Sequence, residues 1–141
     1  MKATGQIRRV DDLGRVVIPK EVRRTLKIRE GDPLEIFVQD EAVCFMKYQK
    51  YDHRTWELAD KIMSPIISSY AILDGYGECV RSKGIKVLNV QEAKLRDDVV
   101  IEHIRYMGDS LAYLVIRKDN STERIGLARE VLKKLLEDEE E

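Results

Sequence analysis

The sequence predicts an α+β protein built as two units, and three observations carry that expectation. The first 50 residues hold short alternating runs around a single helical stretch. Residues 55–137 hold a helical spacing at each end with alternating runs between them. A polar stretch, Gln49-Lys50-Tyr51-Asp52-His53-Arg54, separates the two. A folded chain of this size buries about 68–70% of its unfolded surface. With 43% apolar and 36% charged residues a core can form, and wholesale disorder is excluded.

In the first unit, Gln6-Ile7-Arg8-Arg9-Val10 reads as a short strand and Asp11-Asp12-Leu13-Gly14 as a turn, with Gly14 taking a backbone conformation closed to residues that carry a Cβ. Val16-Val17-Ile18 is a second, β-branched strand. Pro19 suits the first helical position, where its missing N–H costs nothing, and Lys20–Leu26 follows as a helix of about two turns. Val22 and Leu26 share one face of it, and Lys20, Arg23, Arg24 and Lys27 occupy the rest. Glu30-Gly31-Asp32-Pro33 is a turn. Leu34–Val38 and Ala42–Tyr48 form a hairpin through Gln39-Asp40-Glu41, which lacks the glycine a tight hairpin prefers. Four short strands and a short helix build little core alone, so size by itself calls for a second copy, with Val22, Leu26, Leu34, Ile36, Val38, Val43 and Phe45 as its shared core.

In the second unit, Trp56, Ala59, Ile62 or Met63, Ile66 and Tyr70 recur at helical spacing, and Pro65 ends or kinks that helix near Ser64. Tyr70–Leu73 and Glu78–Arg81 flank Asp74-Gly75, a hairpin signal. Ile85–Val90 reads as a strand, as do Val99–Met107 and Leu111–Arg117 around Gly108-Asp109-Ser110. Asn120 with Glu123 marks a helix start, and Ile125, Ala128, Val131 or Leu132, and Leu135 form the apolar stripe of the last helix. Glu137–Glu141 is an acidic tail that frays and repels itself, so the expected organisation is 1–50, 55–137 and a tail at 138–141.

The net charge of −1 conceals an asymmetry. Residues 1–29 carry nine basic and three acidic side chains, net +6, whereas residues 30–141 carry 16 basic and 23 acidic, net −7. A polyanion is drawn to the first segment and repelled by the rest. Most of the nine cations are arginines, suited to bidentate phosphate or guanine contacts. The bland alternative is a solvated basic face tied by salt bridges to Asp11, Asp12 and Glu21.

Several classes are excluded or disfavoured. No apolar run approaches the roughly 18 residues that span a bilayer, so no membrane association is expected. The start, Met1-Lys2-Ala3-Thr4-Gly5, leads into charge, so no signal peptide is expected. Cys44 and Cys79 have no metal-ligand spacing and read as buried thiols of a reducing cytosol. His53 and His103 stand alone, and Asp97-Asp98 reads as solvated charge, so no metal is expected. Gly75-Tyr76-Gly77 is a lone G-x-G, better read as a turn than a phosphate cradle, and Trp56 with its stripe reads as core or oligomer interface. No triad, nucleophile or P-loop motif is present, so neither an enzyme nor a cofactor is expected.

The segment Thr4-Gly5-Gln6-Ile7-Arg8-Arg9-Val10-Asp11-Asp12-Leu13-Gly14-Arg15-Val16-Val17-Ile18-Pro19-Lys20-Glu21-Val22-Arg23-Arg24-Thr25-Leu26, continued by Ile28-Arg29-Glu30-Gly31-Asp32-Pro33-Leu34-Glu35-Ile36, resembles the N-terminal domain of AbrB-type transition-state regulators. The resemblance covers residues 1–50. It implies a swapped-hairpin β-barrel, in which two chains exchange hairpins to form one DNA-binding unit. It also implies that Arg8, Arg15, Arg23 and Arg24 contact double-stranded DNA, with Arg9 and Lys2 as helpers and Lys20 as an added cation. Degenerate, often A·T-rich sites are implied, read partly through shape.

The second half resembles, more loosely, the GAF-like domain that follows in sporulation regulators of this family. It is shorter, since Ile85–Asp98 leaves little room for a complete ligand pocket. The functional expectation is therefore a cytoplasmic, nucleoid-associated transcription regulator, homodimeric or homotetrameric, whose second domain assembles it or senses an unnamed ligand. The alternative is an antitoxin carrying the same type of DNA-binding domain. A toxin-binding tail tends to be short and disordered until bound, and residues 55–136 instead show two amphipathic helices and several strands, which favours the regulator.

Overall fold

A six-on-six alternating pair is the one regular sheet of the N-terminal part. In the computed structural model, which describes residues 2–139, β1 (Leu34–Gln39) pairs antiparallel with β2 (Ala42–Lys47), placing Ile36 opposite Phe45 and Val38 opposite Val43. The connection is Asp40-Glu41, and Asp40 adopts a left-handed φ of 53°. An aspartate tolerates that region at modest cost, which is how a tight turn forms here without glycine.

Helix α1 is Lys20–Thr25, and Pro19 precedes it as the cap residue (φ −56°, ψ 144°) rather than occupying its first position as expected. The helix closes through paired bonds, Ile28 N–H to Arg23 O at 2.8 Å and Lys27 N–H to Arg24 O at 3.3 Å, with Lys27 left-handed at φ 56°. Lys47 Nζ donates to Lys27 O at 3.0 Å, tying the hairpin to the helix end. The expected strands at Gln6–Val10 and Val16–Ile18 are absent: neither joins a ladder. Within one chain their backbone groups find no neighbouring strand to pair with.

The chain divides into two compact units, Met1–Lys50 and Tyr51–Glu141. In the first, no described residue is buried. Val22 and Leu34 are half-buried, while Leu26, Ile36, Val38, Val43 and Phe45 are exposed.

The second unit begins with Tyr51, within the stretch read as a boundary from sequence. Tyr51 is buried, sits edge-on to Trp56 at 5.5 Å, and donates its hydroxyl to Leu136 O at 3.2 Å. Asp52 caps α2 (His53–Met63) by accepting from the Arg54 and Thr55 amides, and the helix stops at Ser64, before Pro65. It buries Trp56, Ala59 and Met63.

Four strands follow: β3 (Tyr70–Asp74), β4 (Cys79–Lys83), β5 (Val99–Tyr106) and β6 (Asp109–Arg117). They form one antiparallel sheet in the order β4-β3-β6-β5. The β5–β6 turn is Met107-Gly108, both left-handed at φ 51° and 86°, so β6 starts two residues earlier than the sequence indicated.

Alternation along β3 and β6 divides the core in two. Tyr70, Ile72, Ala112, Leu114 and Ile116 pack with α2 and with α4 (Thr122–Asp138), which contributes Ile125, Ala128, Leu132 and Leu136. Ala71, Leu73 and Val115 pack on the opposite face with Ile85, Val87, Val90 and Ala93.

Three expectations are corrected here. Ile85–Val90 is not a strand. Gly84 turns the chain at φ 80°, Ile85 and Val87 bury their side chains without a ladder, and Asn89 caps an unanticipated helix, α3 (Val90–Lys94), by accepting from Glu92 N at 2.9 Å. Asn120 does not cap α4: Ser121 does, while Asn120 binds Ser68 N at 2.9 Å and Ser68 O at 2.6 Å. The stripe of α4 ends on Leu136, with Leu135 only partly buried, because the helix continues through Glu137 and Asp138. The rest of the expected tail, Glu140 and Glu141, lies outside the described residues.

Gly75 is needed where the β3–β4 turn passes β6, because a Cβ there would lie 2.4 Å from the Ser110 carbonyl oxygen, whose hydroxyl also donates to Gly75 O at 2.8 Å. We expect Gly75→Ala to destabilise the second unit by about 1–3 kcal/mol, the usual cost of overpacking a fixed backbone. Urea unfolding of the full chain, followed by the fluorescence of its single tryptophan, Trp56, measures this.

Candidate nucleic-acid interface

The seven residues expected to meet DNA all lie in the first unit, and all are exposed. They come from three local structures. Lys2, Arg8 and Arg9 sit on the irregular segment before the turn, and Arg8 folds its Nη1 back onto Ile7 O at 3.0 Å. Arg15 closes the turn. Lys20, Arg23 and Arg24 belong to α1.

Helical spacing brings Lys20, Arg23 and Arg24 onto one side of α1, with Val22 and Leu26 on the other. Arg23 and Arg24 lie in the last turn, where the helix dipole favours cations. Among the described residues their side chains make no hydrogen bond or ion pair. Such a row is poised to meet oxygen acceptors.

The turn is built around Asp11. Its Oδ1 accepts from Leu13 N at 2.9 Å and Arg15 N at 2.8 Å, and its Oδ2 accepts from Arg15 Nε at 2.7 Å. The Asp11 amide donates to Arg15 O at 3.0 Å, and Gly14 N–H donates to Asp11 O at 3.1 Å, with Gly14 left-handed at φ 78° as expected. The Arg15 side chain is nonetheless 71% exposed. Hydrogen bonding from the Arg15 amide, then from the Arg15 guanidinium, holds the Asp11 carboxyl below its ordinary value of 3.8. Of the structural salt bridges weighed as the bland alternative, the Asp11–Arg15 pair forms. A carboxylate serving as partner to one of the cations was legible only as an acidic neighbour in the sequence; the turn geometry made it specific.

In the second unit, His103 has its ring stacked on Tyr113 at 4.0 Å and lies 2.8 Å from Ser110 Oγ, a satisfied structural histidine as its isolation suggested. Among the described residues no group of three or more His, Cys, Asp or Glu is placed to hold a metal ion, and no helix is long and apolar enough to cross a membrane.

Comparison with known proteins bears on the first unit alone. Residues 7–49 match the profile of the MazE family, described as "Antidote-toxin recognition MazE, bacterial antitoxin". Stage V sporulation protein T of Bacillus subtilis (strain 168) is 76% identical over 49 residues, 34% of this chain and 28% of that protein. The transition state regulatory protein AbrB of the same organism is 61% identical over 49 residues, 35% of this chain and 51% of AbrB. The chain thus spans between about a quarter and a half of the length of these relatives. The solution structure of the N-domain of the transcription factor abrB is 61% identical over 35% of this chain and 94% of that one, with a TM-score of 0.33.

The depressed Asp11 carboxyl has a definite pH signature. Its contribution to the turn is complete above the unfolded value of 3.8 and is lost as the pH falls through the lower folded value. A carboxyl-carbon NMR titration of the full chain is expected to give an Asp11 midpoint below 3.8, moved part of the way back by Arg15→Ala, since the backbone amides remain.

Proposed function

With residues 7–49 a MazE/AbrB-type N-terminal DNA-recognition domain, we propose that the chain is a DNA-binding transcription regulator working as a homodimer or homotetramer. The observation that carries this reading is the concentration of nine basic side chains in residues 1–29, on a unit whose apolar side chains one chain leaves in water. A second copy exchanging its hairpin, giving a swapped-hairpin barrel, would bury Ile36, Val38, Val43 and Phe45 and display each arginine twice. Arg8, Arg15, Arg23 and Arg24 then bind double-stranded DNA, Arg9 and Lys2 assist, and Lys20 adds charge at the start of α1.

Affinity in this scheme is dominated by released counterions, so it is steep in salt. Sequence selection is tolerant and leans on the shape of A·T-rich duplex. The domain boundary falls at the end of the hairpin, and the second unit, GAF-like in plan but small, joins dimers or senses a ligand of unassigned chemistry. The proposed site of action is the cytoplasm, on the nucleoid, and no enzymatic step is proposed.

The antitoxin reading draws on the printed description of the matching family. The second unit, a four-stranded sheet with α2 and α4 packed against one of its faces, favours the regulator, because a toxin-binding tail needs a segment free to fold on its partner.

Fluorescence anisotropy of the full chain on A·T-rich duplex DNA tests the proposal. If six to ten phosphates are neutralised, affinity is expected to fall by about 10³–10⁵-fold between 50 and 200 mM salt. The double variant Arg23→Ala with Arg24→Ala is expected to lose detectable binding at physiological salt while keeping the oligomer. Wild-type affinity in that variant would place the interface elsewhere, and co-purification of a small toxin would favour the antitoxin.

A further inference from the structure

Among the seven candidate DNA-binding cations, Arg15 differs from the others. Its guanidinium is held by a carboxylate, and that carboxylate is itself fixed by backbone before it reaches the arginine. Asp11 Oδ1 is occupied by two amides, those of Leu13 and Arg15, which aims Oδ2 at Arg15 Nε across 2.7 Å. The Asp11 N–H to Arg15 O bond and the left-handed Gly14 close the same turn from the other side. Lys2, Arg9, Lys20, Arg23 and Arg24 have no such partner among the described residues.

We propose that Asp11 is a positioning residue for Arg15, holding it by Nε so that Nη1 and Nη2 meet a pair of acceptors on the duplex as a pre-set fork. The proposal rests on the DNA-recognition reading of the first unit. Two parallel N–H groups match either the O6/N7 edge of guanine or two phosphate oxygens. An arginine already ordered in the free protein avoids the cost of ordering a long side chain on binding, which corresponds to about a 2- to 10-fold gain in affinity per chain.

The argument has a built-in opposition of sign. Asp11 carries a negative charge beside a surface meant for a polyanion, so simple electrostatics says that removing the charge tightens binding. Positioning says that removing it weakens binding. Asp11→Asn separates the two, because asparagine keeps an oxygen for the Leu13 and Arg15 amides but turns an N–H₂ toward Arg15 Nε, setting donor against donor.

The test is a double-mutant cycle in the full chain, Asp11→Asn and Arg15→Ala singly and together, read by anisotropy on A·T-rich duplex and on the same duplex carrying G·C pairs. Asp11→Asn is expected to weaken binding about 2- to 10-fold per chain when Arg15 is present, and to leave it unchanged or tighter when Arg15 is alanine. Unchanged or tighter binding with Arg15 present overturns the proposal. So does an equal loss in both backgrounds, which would mean that Asp11 acts through the turn alone.

Loss in Arg15→Ala confined to the G·C duplex assigns the fork to guanine, and equal loss on both duplexes assigns it to phosphate; either supports the proposal. The Arg15 Nε–H signal in a ¹⁵N NMR spectrum of the free chain reads the tether without DNA. Slow solvent exchange in wild type that becomes fast in Asp11→Asn supports the hold, and fast exchange in both overturns it. A held Nε–H in a wild type that binds no duplex would sink the DNA reading and, with it, the proposed role of the fork.

Discussion

Ile7, Val10, Leu13, Val16 and Val17 stand in solvent at 50–86% exposure in a single chain, and the hairpin adds Ile36, Val38, Val43 and Phe45. Apolar surface left in water forgoes roughly 25 cal/mol for each Å² that could be buried, and a unit of 50 residues has few other sources of stability. What order the first unit has comes from local bonds: the Asp11 turn, the closing bonds of α1, the Asp40-Glu41 hairpin and the Lys47–Lys27 contact. Those bonds set the shape of the recognition surface. They do not supply a core, which is why the proposed function turns on a second copy.

The second unit meets the opposite condition. Both faces of its sheet are covered, one by α2 and α4 and the other by α3 with the Ile85–Val87 segment, and β3 and β6 sit at the centre with Ile72, Leu73, Leu114 and Val115 fully buried. Polar groups fasten the seams. Tyr51 reaches the end of α4, Asn120 clamps Ser68, and Glu102 of β5 meets Arg129 of α4 at 3.4 Å. Side chains that one chain buries in this way need no partner for stability, so this unit is free to use its surface for assembly or sensing.

Legibility in the sequence followed the same division. Elements whose pattern is satisfied within the chain were readable: the 34–47 hairpin, the helix stopped ahead of Pro65, β5 with β6, and the last helix. Gln6–Val10 and Val16–Ile18 carry a strand pattern, but a pattern is not a ladder, and no neighbouring strand exists in one chain to complete it. Ile85–Val90 misleads for a different reason. Its apolar residues answer to burial on the sheet face, whereas its backbone answers to Gly84 at one end and the Asn89 cap at the other, and the Asn89–Glu92 spacing was the available signal. At α4 two adjacent residues could cap, and the bond from Asn120 to Ser68, 52 positions away, decided it. The basic residues of the interface were plain from composition, but the partnership of one of them with Asp11 needed the turn.

A unit without an interior of its own answers to mass action. If its core forms only between chains, completing it is a second-order event, whereas the 51–139 segment closes its own contacts and can do so at any dilution. The same polypeptide then carries two timescales: a prompt unimolecular collapse, followed by an encounter whose rate rises with the number of copies in the cell. The amount of protein made, and not only its sequence, would set how much of it is competent to recognise DNA.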